Sequence, residues 1–318
     1  DVQRIKTYLS SVSESVVTIY SFWKKEVDLL HKSNRSGGAL VYELSLTAIN
    51  KQTDLNIPFE QVDYTFLRNL EASFSNDGLG VNSIGMHMRS LRAIFNKAIK
   101  SKIITYEHYP FSSFKIKRQA TTPRPITYEE LQKYFNLQID TKSWLYDSWL
   151  MGKLMFMLIG INFKDMILLN ESSIKDGRIN YVRSKTKTVY TIRMLQDVIE
   201  ILDYFKGRDK HTLLGKLTKE DLDNKRMLPK IIKQKNKNFN SHLLKLGNMI
   251  DCKEKLTSYV FRYSFAGIAK QLGYSKDMIA EALGHQYGSK VTGIYLEAYD
   301  KKLIDEMVHV VHLTVTMP

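Results

Sequence analysis

The sequence has one cysteine in 318 residues, Cys252, so no disulfide can close within the chain and no cysteine-based metal site is available. The segment Met249-Ile250-Asp251-Cys252 reads as the end of a helix, which fits a structural thiol. No apolar run approaches the ~18 residues of a membrane span. The N-terminus carries no signal-peptide pattern. These absences point to a soluble, cytoplasmic protein with no membrane partner. No internal repeat or low-complexity tract is evident. His309 and His312 are three apart near the C-terminus but lack further ligands, so they read as packed or solvent-facing histidines rather than a metal site. The chain opens at Asp1 rather than Met, as a fragment of a longer protein does.

What is abundant is positive charge. The formal net charge is +14 and the pI about 9.5, with 43% hydrophobic and 25% charged residues. Those proportions are ordinary for a globular protein with real cores. A basic protein of this size is attracted to polyanions, and nucleic acid is the commonest such partner. Basic residues outnumber acidic ones in both halves, which fits a clamp on a phosphate backbone better than a single basic tail.

A length of 318 residues suggests two domains. The first hundred residues follow helical spacing: Val16 to Leu30, Ala39 to Lys51, a third helix from about Val62, and a fourth after Asn82-Ser83, a plausible cap, through Ile99. A break at Asn34 to Gly38 separates the first two, where Gly37-Gly38 is a turn signal. Arg89, Arg92 and Lys97 fall on the polar face of the fourth helix and are candidate DNA contacts. Lys115 to Pro125 (KIKRQATTPRP) has no apolar periodicity, four basic residues and two prolines, and reads as extended. Lys117 and Arg118 in it are further candidate contacts. Thr127 with Glu130 then forms a capping box.

The second half is mixed. A long apolar helix covers about Trp144 to Ile161. Asp176-Gly177 marks a tight turn, and Arg178 to Arg183 with Thr188 to Met194 alternate like a hairpin whose turn carries Lys185 and Lys187. Helices follow at about 196–206, 219–233, 239–248, 258–272, 275–284 and 290–312. Lys230 to Lys245 holds five lysines and no acid, so Lys233, Lys235 and Lys237 offer another phosphate-facing surface. The expected fold class is mainly α with a small β-sheet or hairpin, in two domains: 1–117, a linker at 118–125, and 126–318.

Three pieces stand in order near the C-terminus: Tyr259 to Ala266 (YVFRYSFA) on a helix capped by Ser258, then Leu283-Gly284-His285, then Val291 to Leu296 (VTGIYL). This order resembles the catalytic domain of the tyrosine recombinase (phage integrase) family. Upstream, Tyr181 to Thr186 (YVRSKT) is similar to the family's strand and turn that present a catalytic lysine. Leu158 to Leu169 is similar to its first catalytic helix junction, and residues 1–115 to its helical core-binding domain. The resemblance covers nearly the whole chain, without the arm-binding domain that often precedes it in the family.

The resemblance implies a site-specific recombinase that clamps double-stranded DNA between a helical core-binding (SAM-like) domain and a mixed α/β catalytic domain. It also implies a tetramer on two recombining sites. Tyr295 is the implied nucleophile, forming a 3′-phosphotyrosine link. Arg262 and His285 bind the scissile phosphate, and Lys185 protonates the departing 5′ oxygen. Lys187 is the other choice for that role; the place of Lys185 before Thr186 favours Lys185. The segments offer no carboxylate cluster for Mg²⁺, and no cofactor or metal is called for. Each residue also has a plainer reading: Tyr295 as a core aromatic, His285 as a helix C-terminal histidine, Lys185 as a solvated charge.

The sequence departs from the family at two positions. Asn162 stands where an Arg is usual, and Tyr259 where His or Lys is usual; the gap from His285 to Tyr295 is one residue longer. Arg178 or Arg183, near the hairpin, could supply the missing charge. A neutral residue in place of that Arg resembles a subset of integrases on mobile elements of Bacteroides-like bacteria. A catalytically impaired, integrase-derived DNA-binding protein is the alternative reading. A type IB topoisomerase shares the chemistry, but the helical first domain and short length argue against it.

Overall fold

The computed structural model describes residues 16–122, 124–284 and 299–316. The chain divides into two compact units, Asp1–Thr121 with Lys225–Pro229, and Thr122–Asn224 with Lys230–Pro318.

The first unit is built on α1 (Ile19–Lys32), α2 (Ser36–Gln52), α3 (Tyr64–Asn76) and α4 (Val81–Lys100). Thr18 caps α1 by accepting from the Ser21 N–H at 3.2 Å, and Asp63 caps α3 by accepting from the Phe66 N–H at 2.7 Å. The break expected at Asn34 to Gly38 is confined to its first residues and does not reach Gly37-Gly38. Both glycines lie in the first turn of α2, and the chain turns at Asn34, with φ 57. Asn tolerates this left-handed conformation better than most residues. Asn82-Ser83 is not the cap of α4 either; Gly80 is. The Asn82 amide instead donates to the Gln119 carbonyl at 2.8 Å and accepts from its N–H at 3.1 Å.

The inward faces of these helices bury Trp23, Phe74 and Phe95, joined by Phe59 from the single turn of 3₁₀ helix at Phe59–Gln61. Phe59 meets Phe95 edge-on at 5.0 Å, a favoured aromatic geometry. One polar seam crosses this core. The Ser45 hydroxyl donates to Ser90 Oγ at 3.0 Å, and His87 Nδ1 lies 3.2 Å from Ser45 Oγ with its ring stacked on Phe74.

In the second unit come α5 (Tyr128–Phe135), α6 (Tyr146–Met157), α7 (Phe163–Ile167), β1 (Ile174–Lys175), β2 (Arg178–Val182), β3 (Val189–Arg193), α8 (Gln196–Phe205), α9 (Lys219–Asp223), α10 (Leu228–Met249), α11 (Val260–Gln271), α12 (Lys276–Ala282) and α13 (Lys301–Thr316). The strands form one antiparallel sheet in the order β1-β2-β3. The expected Asp176-Gly177 turn joins β1 to β2, with φ 53 and 68 at its two residues. Positive φ at both is the mark of a tight hairpin turn. The Thr127–Glu130 capping box is present at α5.

Past its first turn α6 is almost wholly apolar because it is the centre of the unit, with Met151, Leu154, Met155 and Phe156 all buried. Gly152 lets it approach its neighbours: an added Cβ would lie 2.1 Å from the Tyr134 hydroxyl and 2.9 Å from Phe261. Two helices expected at 219–233 and 239–248 are instead short α9 and one continuous α10. The lysine-rich middle of α10 is its solvent face, while Ile232, Phe239, Leu243 and Leu246 hold the other face inside. Ser258 does not cap α11. Tyr259 occupies that position, and the Ser258 N–H donates to Asn240 Oδ1 at 2.7 Å.

α13 begins at Lys301, and its expected start at 290 lies outside the described residues. It packs on its own unit, burying Met307, Val308, Val311 and Val315, whereas Leu303 stays exposed. His312 is buried 3.0 Å from Asp197, while His309 is exposed. Among the described residues no group of His, Cys, Asp and Glu is arranged to hold a metal, and no helix is long and apolar enough to cross a membrane.

Burial holds the His87 imidazole below its ordinary pKa of 6.5. The folded state therefore binds fewer protons than the unfolded one below that pH, and stability falls on acidification. Calorimetry is expected to show Tm dropping between pH 7 and pH 5, with a smaller drop in His87→Gln; an undiminished drop would remove this ring from the account.

Candidate active site and nucleic-acid interface

α6 ends in an elbow. Ile159 and Gly160 take φ 56 and 64 in succession, after which Asn162 starts α7. Left-handed backbone is costly for a β-branched residue and persists only where surroundings impose it. Here the surrounding group is Arg262, in the first turn of α11 and 3% exposed. Its Nη1 donates to the Gly160 carbonyl at 3.2 Å and reaches toward that of Ile159 at 3.5 Å; its Nη2 donates to the Leu283 carbonyl. A Cβ on Gly160 would lie 2.3 Å from the Arg262 Cα. The elbow and the arginine thus require each other.

Asn162 sits directly after the elbow. With its amide oriented by its partners, the oxygen accepts from Arg183 Nε at 3.1 Å and Nη2 at 3.3 Å. Arg183 is 8% exposed, at the end of β2. The structure therefore brings Asn162 and Arg183 together. Arg178 is engaged elsewhere: it forms a two-pronged pair with Asp305 of α13, both contacts at 2.7 Å, and also donates to Thr191.

The hairpin turn after Arg183 is closed by Arg183 N–H to Thr188 O at 2.8 Å and Lys187 N–H to Arg183 O at 2.9 Å. The Ser184 N–H donates to the buried carboxylate of Asp165 at 3.1 Å, tying the turn to α7. Lys185 and Lys187 are both exposed on this turn, with Lys187 at φ 62. A flexible ammonium in that place can reach a ligand without moving the backbone.

α12 runs to the Leu283-Gly284 corner, whose carbonyl at Leu283 accepts from both Arg262 and the Tyr190 hydroxyl. His285 follows at once; it and Tyr295 lie outside the described residues. Tyr259 is exposed one turn before Arg262, its ring edge-on to Tyr263 at 4.9 Å.

The basic residues fall into three groups. On the first unit, Arg89, Arg92, Lys115 and Arg118 line a pocket of about 310 Å³ with Ser112 and Ser113, and none of these four cations has a carboxylate within salt-bridge reach among the described residues. Lys97 and Lys117 are already paired, Lys97 with Glu26 and Lys117 with Glu71 at 3.2 Å. On α10 of the second unit, Lys233 and Lys237 are exposed one turn apart, and Lys235 is half-buried.

The matching family is the phage integrase SAM-like domain, over residues 18–117. No curated protein matches the chain by sequence. Among solved structures, a lambda integrase dimer bound to a COC′ core site is 16% identical, covering 90% of this chain and 97% of that one at TM-score 0.59. A lambda integrase tetramer bound to a Holliday junction is 17% identical, covering 91% and 81% at TM-score 0.60. The Tn1549 transposon integrase in complex with transposon right end DNA is 16% identical, covering 92% and 99% at TM-score 0.60. The chain has an integrase fold.

Within that fold, sequence reading missed three residues of the site. Asp165 was signalled only by its place three residues after Asn162. Tyr181 and Tyr190 were signalled only by their alternation on the two strands, where they stack at 4.8 Å and 8°. Burial raises the Tyr181 hydroxyl well above its ordinary pKa, opposed by the charges of Arg262 and Arg183.

Gly160→Ala is expected to lose about 1–2 kcal/mol to left-handed backbone and about 1–3 kcal/mol more to overpacking against Arg262. Urea denaturation measures this, and wild-type stability would mean that the elbow yields.

Proposed function

We propose that the chain is a site-specific DNA recombinase that cuts and rejoins double-stranded DNA through Tyr295. The observation that carries the reading is the convergence of Arg262 and Arg183 on one elbow of an integrase fold, beside a hairpin that bears Lys185. In the proposed reaction the Tyr295 hydroxyl releases its proton to solvent, and its oxygen bonds to the scissile phosphorus as the bond to the 5′ oxygen breaks. Lys185 donates the proton that the leaving oxygen takes up. Arg262 supplies a fixed positive charge beside the non-bridging oxygens, and His285 adds a hydrogen bond. The 3′-phosphotyrosine retains the energy of the broken bond, so the 5′ hydroxyl of a second strand reverses the step without ATP. A homotetramer on two sites performs the exchange one strand at a time.

Arg183 takes the role left open at Asn162. Its guanidinium is within hydrogen-bond reach of the Asn162 amide, whereas Arg178 is held by Asp305. Removing one preorganised charge donor typically costs ~10²–10³ in rate. Arg183→Ala is expected to slow cleavage by about that factor, and Arg178→Ala to act mainly on stability.

The test is covalent trapping. The protein is incubated with nicked DNA from the ends of its own genetic element, and an adduct that survives SDS is sought. An adduct lost in Tyr295→Phe supports the recombinase. The neutral Asn162 and off-pattern Tyr259 favour a second reading, an integrase-derived DNA-binding protein, and DNA that is bound but never linked would establish it.

DNA affinity is expected to rest on phosphate contacts by the four unpaired cations of the first unit and by Lys233 and Lys237 of the second. Arg89→Ala and Arg92→Ala should each lower the slope of log K against log salt by about 1, equally on unrelated sequences. Lys97→Ala should leave the slope unchanged. The opposite ranking would place the backbone contact elsewhere.

A further inference from the structure

Tyr190 has a hydroxyl its surroundings do not require for packing. Its ring is 5% exposed and stacked face to face on Tyr181, opposite it in the β2–β3 register. A phenylalanine would fill that space and keep that stack. The hydroxyl does something else: it donates to the Leu283 carbonyl, which also accepts from Arg262 Nη2. It further occupies the space where a side chain at residue 284 would go. A Cβ on Gly284, at φ +59, would lie 2.3 Å from the Tyr190 oxygen and 2.7 Å from Cζ. One oxygen therefore joins β3, the corner after α12, and the arginine of the elbow.

Tyr190 stands two residues past the closed end of the hairpin at Thr188, on the strand that leads out of the turn bearing Lys185. We infer that Tyr190 is a positioning residue: its hydroxyl fixes the hairpin, and with it Lys185, in register with the phosphate seat formed at Arg262 and Leu283. The inference rests on the recombinase reading for its catalytic consequence, though the mechanical coupling stands by itself.

Tyr190→Phe removes one oxygen and leaves the stack, and two readouts follow. The first is amide hydrogen exchange at Arg183 and Lys187, whose N–H groups close the turn, and at Ser184, whose N–H ties it to Asp165. Exchange there is expected to rise at least ~10-fold while α6 and α11 remain protected; unchanged exchange overturns the coupling whether or not the protein cuts DNA. The second readout compares adduct formation on an ordinary strand with that on a strand whose scissile 5′ oxygen is replaced by sulfur. On the ordinary strand the 5′ oxygen must gain a proton as its bond to phosphorus breaks. On the modified strand the sulfur leaves as a thiolate and needs none, because a thiol is far more acidic than an alcohol.

Tyr190→Phe is expected to slow the first reaction ~10–100-fold and to leave the second within a few-fold of the parent. An equal loss on both strands would mean that Tyr190 acts on phosphate binding instead, and overturns the assignment to Lys185. A parent protein that forms no adduct on either strand would sink the recombinase reading, while the exchange experiment still decides the coupling.

Discussion

A guanidinium buried among backbone carbonyls organises the second unit. Burying a cation is costly unless hydrogen-bond acceptors surround it. Carbonyls of Gly160, Ile159 and Leu283, drawn from the end of α6 and the end of α12, answer the two terminal nitrogens of Arg262. To present those oxygens the chain accepts two successive left-handed residues at the elbow and another at Gly284. Two segments distant from each other in sequence are thereby held around one side chain. A charge kept at a fixed place in a low-dielectric setting acts on an anion without first reorganising, which is the form of electrostatic help phosphoryl chemistry needs.

The hairpin is fastened to this centre from several sides. Asp165 holds its turn, Arg183 meets Asn162, Tyr190 grips Leu283, and Arg178 binds Asp305 on α13. The two arginines differ in a way that composition alone cannot express. Arg178 has its carboxylate, so its charge is answered within the fold; Arg183 faces a neutral amide and keeps its field.

Much of this was legible in the sequence. The hairpin, the capping box at Thr127 and the helical first hundred residues follow from periodicity and cap chemistry, which are local. The Arg262 and Leu283-Gly284 motifs were visible because residue types at fixed spacing define them. What escaped reading was nonlocal. Gly37-Gly38 looked like a turn because its residues permit one, but α2 absorbs them. α10 was expected as two helices, ending at 233 and starting at 239, because apolar residues are sparse between them, though Ile232, Phe239, Leu243 and Leu246 suffice to hold one face. Lys97 looked available on a polar helix face, and only the tertiary structure brings Glu26 to it. The Tyr190 contact links residues 93 positions apart, beyond the reach of any window along the chain.

The terminal helix has a consequence for assembly. α13 is part of the second unit's own core through Val311 and Val315, and is stitched to it by Asp305 and His312. A subunit that passed this helix to a neighbour would open its own interior and take Asp305 from Arg178 and His312 from Asp197. Such an exchange would be a domain swap, with each vacated bed filled by an identical helix from another copy. It would proceed around a closed ring or not at all, because an open chain of subunits leaves one bed empty at its end.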